Sequence, residues 1–402
     1  MELTYRYRLY PNAKQLKRIV NTCSCTRFLY NKLLQIRTEH FRETGLWCEL
    51  DMEPLVQGNG FLQNVDQSAL SWSLKHLEQA YKQFFHRKPK IKERIRPETQ
   101  YKLVKDPTYQ INETDLAEYP RYKRKKGLKH QSYTTSASIA RIDHDRVFLP
   151  YIGFVKMKMH RPLPEEMDEI LRFTVVVKRS GQVYLLVQFR MADVPKRHDL
   201  CRPLGIVFEP ALLAVRSDGV PVAFEHADPK LQKKIQKLKK EIKRSVRGSK
   251  ACTERERKLA ALYEKQKNQR WDSLHKSARQ IANADNVDAV YMETPAVKKW
   301  KQQLMAVRGV PELIRDEAWW GFSELLRYKL KQQGKHFWRV DPTFPIRGIC
   351  SHCNGRAAES LPWQDKWVCP HCGSILSSEQ NAARNLQAMA ESFIQSHSVG
   401  PN

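Results

Sequence analysis

Cys350-Ser351-His352-Cys353 and Cys369-Pro370-His371-Cys372 decide how the second half of this chain is read. Four thiolates in two Cys-x-x-Cys pairs suit one tetrahedral zinc ion, each pair forming a knuckle. An all-sulfur site leaves no open position for water, so the predicted role is structural. Cys350, Cys353, Cys369 and Cys372 are the expected ligands, with His352 and His371 inside the knuckles and not ligating. A disulfide framework is the other reading of this spacing, and a reducing compartment argues against it. The remaining cysteines, Cys23, Cys25, Cys48, Cys201 and Cys252, show no metal spacing and read as free, mostly buried thiols.

Outward from the cysteines, a helix is expected over about 379–394, opening at Glu379-Gln380-Asn381-Ala382-Ala383-Arg384-Asn385. Upstream lie a strand at His336–Asp341, a helix at about 311–333 and a strand at Asp288–Glu293. Two helices are expected at 229–247 and 253–283. The first carries Leu231, Ile235, Leu238 and Ile242 in a four-three-four stripe and is ended by Gly248. Leu204–Phe208, Leu212–Arg216 and Val220–Phe224 read as strands, with a turn at Ser217-Asp218-Gly219. Strands alternating with helices over 204–402 predict an α/β domain. A nuclease of RNase H-like type takes three carboxylates from such separated elements, to clamp two divalent ions.

The first half is organised differently. Residues 3–10 alternate in character and predict a strand, with Arg6 and Arg8 on one face and Tyr5 and Tyr7 on the other. Helices are expected at 13–43 and 67–86, joined by a polar stretch near 52–66. Residues 87–130 are basic, proline-punctuated and weakly periodic, and predict loops. The clearest hairpin is Phe173–Val177 and Val183–Phe189 around Arg179-Ser180-Gly181-Gln182.

Charge narrows the function. Seventy Lys+Arg against 43 Asp+Glu leave a formal +27, an excess that persists along most of the 402 residues. It calls for a polyanionic partner. No run of 18 apolar residues predicts a membrane span, and the first residues lack a signal-peptide core. The expectation is a cytoplasmic, nucleoid-associated bacterial protein facing nucleic acid and no membrane. Arg121-Tyr122-Lys123-Arg124-Lys125-Lys126 mixes cations with a ring, which suits phosphates and unpaired bases. Lys233, Lys237, Lys240 and Arg244, with Lys230, Lys234, Lys239, Lys243 and Arg247, are the candidates on the basic helix. Arg6 and Arg8 complete the set.

Several stretches resemble the TnpB family, the RNA-guided nucleases of insertion sequences and ancestors of type V CRISPR effectors. They are Tyr7-Arg8-Leu9-Tyr10-Pro11, Pro120-Arg121-Tyr122-Lys123, Gln131-Ser132-Tyr133-Thr134-Thr135, and Gln269-Arg270-Trp271-Asp272-Ser273-Leu274-His275. Trp319-Trp320-Gly321-Phe322, Val340-Asp341-Pro342, Cys350–Cys372 and Asn381-Ala382-Ala383-Arg384-Asn385 follow in the family's order. Residues 87–118 look longer than the family's usual linker. The resemblance implies a multidomain α/β layout. Residues 1–10 and 119–200 would form a β-barrel wedge domain, 11–118 an inserted helical recognition domain, and 201–402 a RuvC (RNase H-like) domain with its zinc ribbon at 348–375. It implies a guide RNA and double-stranded target DNA beside a short adjacent motif as partners, with a monomer on one guide RNA.

The departures from the family carry the functional expectation. Active members read Gly-Ile-Asp-x-Gly at the first RuvC motif; this chain reads Gly205-Ile206-Val207-Phe208-Glu209. Val207 offers no oxygen to a hard cation. Glu293 matches the second carboxylate, and Glu379 stands where the third is an aspartate. The degenerate positions Val207, Glu293 and Glu379 imply no catalysis and no catalytic magnesium. They place the chain with the nuclease-dead TnpB-like repressors, domesticated transposon-derived proteins that block a promoter. An active nuclease using Glu209, Glu293 and Glu379 is the second reading. A decayed transposon remnant is the third, and a plain basic zinc-ribbon DNA-binding protein the fourth.

Overall fold

The alternation of the first ten residues is realised as strand β1 (Glu2–Tyr10), on which Tyr7 and Leu9 are buried while Arg6 and Tyr10 are exposed. The computed structural model describes residues 1–86, 95–106, 108–110, 112, 115–116, 119–124, 130–195, 202–209, 212–223, 228–294, 318–341, 344–356 and 366–398. They fall into two compact units, Met1–Ala192 and Asp193–Asn402.

In the first unit, β1 lies antiparallel between β7 (Val183–Met191) and β5 (Gly153–Lys158), with Leu9 opposite Val183 on one side and Met157 on the other. With β2 (His130–Ser136), β3 (Arg141–Asp143), β4 (Arg146–Leu149) and β6 (Met167–Lys178) the sheet order is β2-β6-β7-β1-β5-β4-β3. Alternate residues of these strands, among them Tyr7, Val147, Val155, Phe173, Leu185 and Val187, meet in one core, so the sheet is curled. Among the described residues no ladder joins the edge strands β2 and β3; the chain passes between them through a tight turn, and β3 has three residues.

Helix α1 (Ala13–Thr44) begins at a capping box. The Gln15 N–H donates to Asn12 Oδ1 (2.8 Å), and the Asn12 N–H donates to Gln15 Oε1 (3.0 Å). It ends at Gly45, whose φ of 69° a side chain would resist. Short helices α2 (Glu53–Gln57) and α3 (Gly60–Gln63) lead to α4 (Gln67–His86), and α1 and α4 share a core of Leu29, Leu33, Leu70, Leu77 and Tyr81. Buried in it, Arg37 pairs with Glu78 at 2.6 Å and stacks over Trp47 and Tyr81. The loop expectation for 87–130 is corrected where residues are described: Pro97–Lys105 is helix α5, with Pro97 at its first position. Nine residues are too few for periodicity to stand out.

The second unit holds a five-stranded sheet in the order β10-β9-β8-β11-β12. β8 (Pro203–Phe208), β11 (Ala289–Glu293) and β12 (His336–Val340) run parallel; β9 (Ala214–Arg216) and β10 (Pro221–Val222) form an antiparallel edge. Every residue of β8 and β11 is buried, as for strands covered on both faces. Helices α7 (Lys250–Ala282) and α8 (Ala318–Lys331) pack one face, and α9 (Ser378–Ser398) packs the other. Helix α6 (Pro229–Lys243) lies on α7 through Leu231 and Ile235. It stops four residues short of the expected end, because the Ser245 hydroxyl turns back to the Glu241 carbonyl (2.8 Å) and Gly248 takes a φ of 83°. β10 is shorter than the expected Val220–Phe224, and the start of the helix expected at 311–333 lies outside the described residues. Among the described residues no helix is long and apolar enough to cross a membrane.

Candidate functional site

Strand geometry sorts the residues of the expected carboxylate site. Along β8, Leu204, Ile206 and Phe208 face the α7–α8 core, while Gly205 and Val207 face α9. A Cβ on Gly205 would lie 1.9 Å from the Ala383 carbonyl oxygen, so only glycine lets α9 approach so closely. Val207 is fully buried among Ala289, Tyr291, Ala382, Ala383 and Leu386. Its methyl groups fill the space at this point of the sheet, and they coordinate nothing.

Glu293 closes β11, and its carboxylate is already occupied. Oε1 accepts from Arg347 Nη1 at 2.5 Å, and Oε2 accepts from Arg347 Nη2 at 3.3 Å and from the Phe208 N–H at 3.2 Å. Both side chains are about nine-tenths buried, at 11% and 9% exposure. A guanidinium therefore supplies the positive charge that a metal ion would otherwise bring to this carboxylate. Glu379 is 2% exposed in the first turn of α9, where the helix dipole favours an acid. Glu209 is half-buried and lies beyond β8, which ends at Phe208, so strand alternation does not carry it to the Val207 face. Among the described residues, one group of three or more His, Cys, Asp or Glu side chains converges as a metal site would: the four cysteines.

Those cysteines fit zinc by distance. Their sulfurs all lie within 4.8 Å of one another, with Cys350–Cys372 at 3.8 Å and Cys353–Cys369 at 3.7 Å. A tetrahedron with Zn–S bonds of about 2.3 Å has edges of about 3.8 Å, whereas a disulfide needs about 2.05 Å. The two knuckles repeat one backbone design. The N–H of Asn354 donates to the Cys350 carbonyl and that of Gly373 to the Cys369 carbonyl. Asn354 and Gly373 both take positive φ, 58° and 69°. His371 Nε2 contacts the Arg356 carbonyl oxygen at 2.7 Å, which engages the imidazole outside the sulfur cage.

Two asparagines tie this module to α9. Asn381 Nδ2 donates to the Ile349 carbonyl (2.7 Å), and its Oδ1 accepts the Ser351 N–H (2.8 Å). Asn385 Nδ2 donates to the carbonyls of Ile346 (2.8 Å) and Ile349 (2.7 Å). Positions four apart share a helix face, so both amides grip one strand of backbone while Ala382 and Ala383 face β8. The roles of Arg347, Asn381 and Asn385 were not read from the sequence. The only signal for Arg347 in the sequence is its place three residues before Cys350.

The expected nucleic-acid residues are spread over both units. Lys233, Lys237, Lys240 and Arg244 are exposed on or at the end of α6, as are Lys230, Lys234, Lys239, Lys243 and Arg247. Arg6 and Arg8 lie over the Tyr184 ring at 5.0 and 5.1 Å. Arg121, Tyr122 and Arg124 are exposed. Lys123 is exposed along its length, but its ammonium sits 3.8 Å from the Tyr30 ring, and burial there lowers its pKa to about 8. Lys125 and Lys126 lie outside the described residues.

Two family profiles match the chain: a helix-turn-helix domain of the IS605 OrfB type over residues 1–45, and a Cas12f1-like TNB domain over residues 319–386. A Streptomyces pristinaespiralis protein named "Putative RNA-guided DNA endonuclease" is 26% identical over 400 residues, spanning 96% of this chain and 88% of its own. The Escherichia coli (strain K12) protein "Putative RNA-guided DNA endonuclease InsQ" is 22% identical over 409 residues, spanning 97% and 92%. Among solved structures, the Cas12f1–sgRNA–target DNA complex aligns over 96% of this chain and 98% of the matched chain, at 15% identity and a TM-score of 0.46.

Proposed function

We propose that this chain is a TnpB-type, RNA-guided DNA-binding protein that holds its target without cutting it. The observation that carries this reading is the state of the carboxylate site. Val207 stands buried at the first position, and Glu293 is neutralised by Arg347. Two-metal phosphodiester cleavage needs carboxylates free to bridge and clamp the ions. An apolar residue at one position and a paired carboxylate at the next leave no such clamp, and the third position, Glu379, cannot supply it alone.

The binding apparatus is retained. Residues 1–10 and 119–200 would act as the wedge, 11–118 as the recognition insert, and 201–402 as a RuvC-derived scaffold. A guide RNA would pair with the target strand, and the protein would read a short motif beside it, as one monomer per guide. The exposed lysines of α6 and the 121–126 run supply the cationic surface for RNA and DNA backbone. Zinc held by Cys350, Cys353, Cys369 and Cys372 would contribute folding free energy to its module and no chemistry. The cysteine module in turn is fixed to α9 by Asn381 and Asn385. A complex that binds a promoter and leaves the DNA whole represses transcription by excluding polymerase, in the cytoplasm where the nucleoid lies.

The decisive experiment sequences the RNA that copurifies and retargets it. The expected result is a discrete RNA whose altered guide moves repression to a new promoter, with no loss of the target plasmid. Guide-dependent strand breaks in magnesium, abolished by Glu293→Gln, would restore the active-nuclease reading. Random RNA with no guide would favour a remnant, and binding that survives RNase a plain DNA-binding protein.

A further inference from the structure

The cavity on α1 in the Met1–Ala192 unit takes no part in the sites above. Ser24, Arg27, Phe28, Lys32 and Gln35 recur at three- and four-residue steps and share one helix face. With Tyr122, 87 residues beyond Gln35, they line a cavity of about 290 Å³. The arrangement is built. Asn31 reaches across to the later segment and bonds the Lys123 backbone twice, accepting its N–H at 2.8 Å and donating to its carbonyl at 3.0 Å. The Lys123 ammonium is seated on Tyr30. Pinned at Lys123, the segment presents Tyr122 at the cavity with half of it exposed. Arg27 is half-buried and, among the described residues, makes no hydrogen bond or ion pair.

We propose that this cavity receives one unpaired nucleotide, with its base against the Tyr122 ring and Arg27 on its phosphate or base edge. The inference rests on the nucleic-acid reading above and adds a site to it. The chemistry follows from the lining. Arg27 and Lys32 in the lining, with Arg121 and Arg124 exposed on the same segment as Tyr122, select an anion; Glu39 accepts a hydrogen bond from Gln35 at 2.8 Å and is not itself in the lining. A half-exposed ring beside cations suits any base, since every base has a π-face. The volume falls just below the range of about 300–1,000 Å³ typical of drug-sized ligands, which fits one nucleotide and excludes a duplex. Asn31 is a positioning residue that sets Tyr122 over the cavity.

The test measures binding of labelled single-stranded oligouridine and oligothymidine to the full chain freed of RNA, over a salt series. Tyr122→Ala and Arg27→Ala should each weaken one or both by about tenfold, with Tyr122→Phe within about twofold of the parent. Arg27→Ala should also reduce the salt slope by about 0.7, and Tyr122→Ala should leave it unchanged. Loss confined to oligouridine assigns the nucleotide to RNA, and loss confined to oligothymidine to a DNA strand. Parent-like binding of both oligonucleotides by folded Tyr122→Ala and Arg27→Ala overturns the cavity proposal alone. A parent chain that binds neither oligonucleotide and copurifies with no RNA overturns it together with the function proposed above.

Discussion

Replacing Arg347 by methionine tests whether Glu293 belongs to a fixed ion pair or to a metal site awaiting its ions. The guanidinium gives Glu293 two of its three hydrogen bonds, and both side chains are about nine-tenths buried. Its removal leaves a buried carboxylate with one backbone N–H donor, and breaking a buried pair in this way costs roughly 3–5 kcal/mol. For a unit of about 200 residues, each kcal/mol lowers Tm by about 2–4 °C, so a fall of roughly 6–20 °C is expected. The double variant Glu293→Leu, Arg347→Met removes both charges and should lie within about 1 kcal/mol of the parent, or above it. Thermal unfolding by circular dichroism, with and without magnesium, reads all three proteins. A single variant that loses less than about 1 kcal/mol would refute the pairing argument. So would a parent Tm that magnesium raises by several degrees, because that requires Glu293 to exchange the arginine for a cation.

Metal analysis should find one zinc per chain, and Cys353→Ser or a strong chelator should remove it and unfold the module around Trp367; a zinc-free, fully folded chain would contradict this. Gly205→Ala forces a methyl to 1.9 Å from backbone that cannot yield, so a loss above about 3 kcal/mol is expected in denaturant melts, and parent-like stability would contradict the close approach of α9. Asn381→Ala strands the Ser351 N–H, while the Ile349 carbonyl keeps its bond from Asn385, and should cost about 1–3 kcal/mol, with early exchange of the 346–351 amides as its signature. Changing Lys237 and Lys240 together to alanine should weaken RNA binding evenly across sequences and flatten its salt dependence; an unchanged slope would remove α6 from the interface.

Much of the fold was legible because it is local. The helix expected at about 67–86 is α4, and the hairpin read around Ser180-Gly181 is β6–β7. Helix and strand periods are written in side chains a few positions apart. The overrun of α6 and the unforeseen α5 mark the limit of that method. Basic residues continue past Lys243 without a break in pattern, and the helix ends on a serine hydroxyl and a glycine dihedral.

The candidate site divides along the same line. The sequence by itself determined which residue types are present: four cysteines at knuckle spacing, a valine in Gly205-Ile206-Val207, and glutamates at 293 and 379. Tertiary structure alone decided what those groups meet. Glu293 finds Arg347 across 54 residues, Asn381 finds Ile349 across 32, and Asn31 finds Lys123 across 92. Such pairs depend on strand register and on where each connection returns the chain. Those are fixed by the sum of packing over a whole unit, and no window of neighbouring residues contains them.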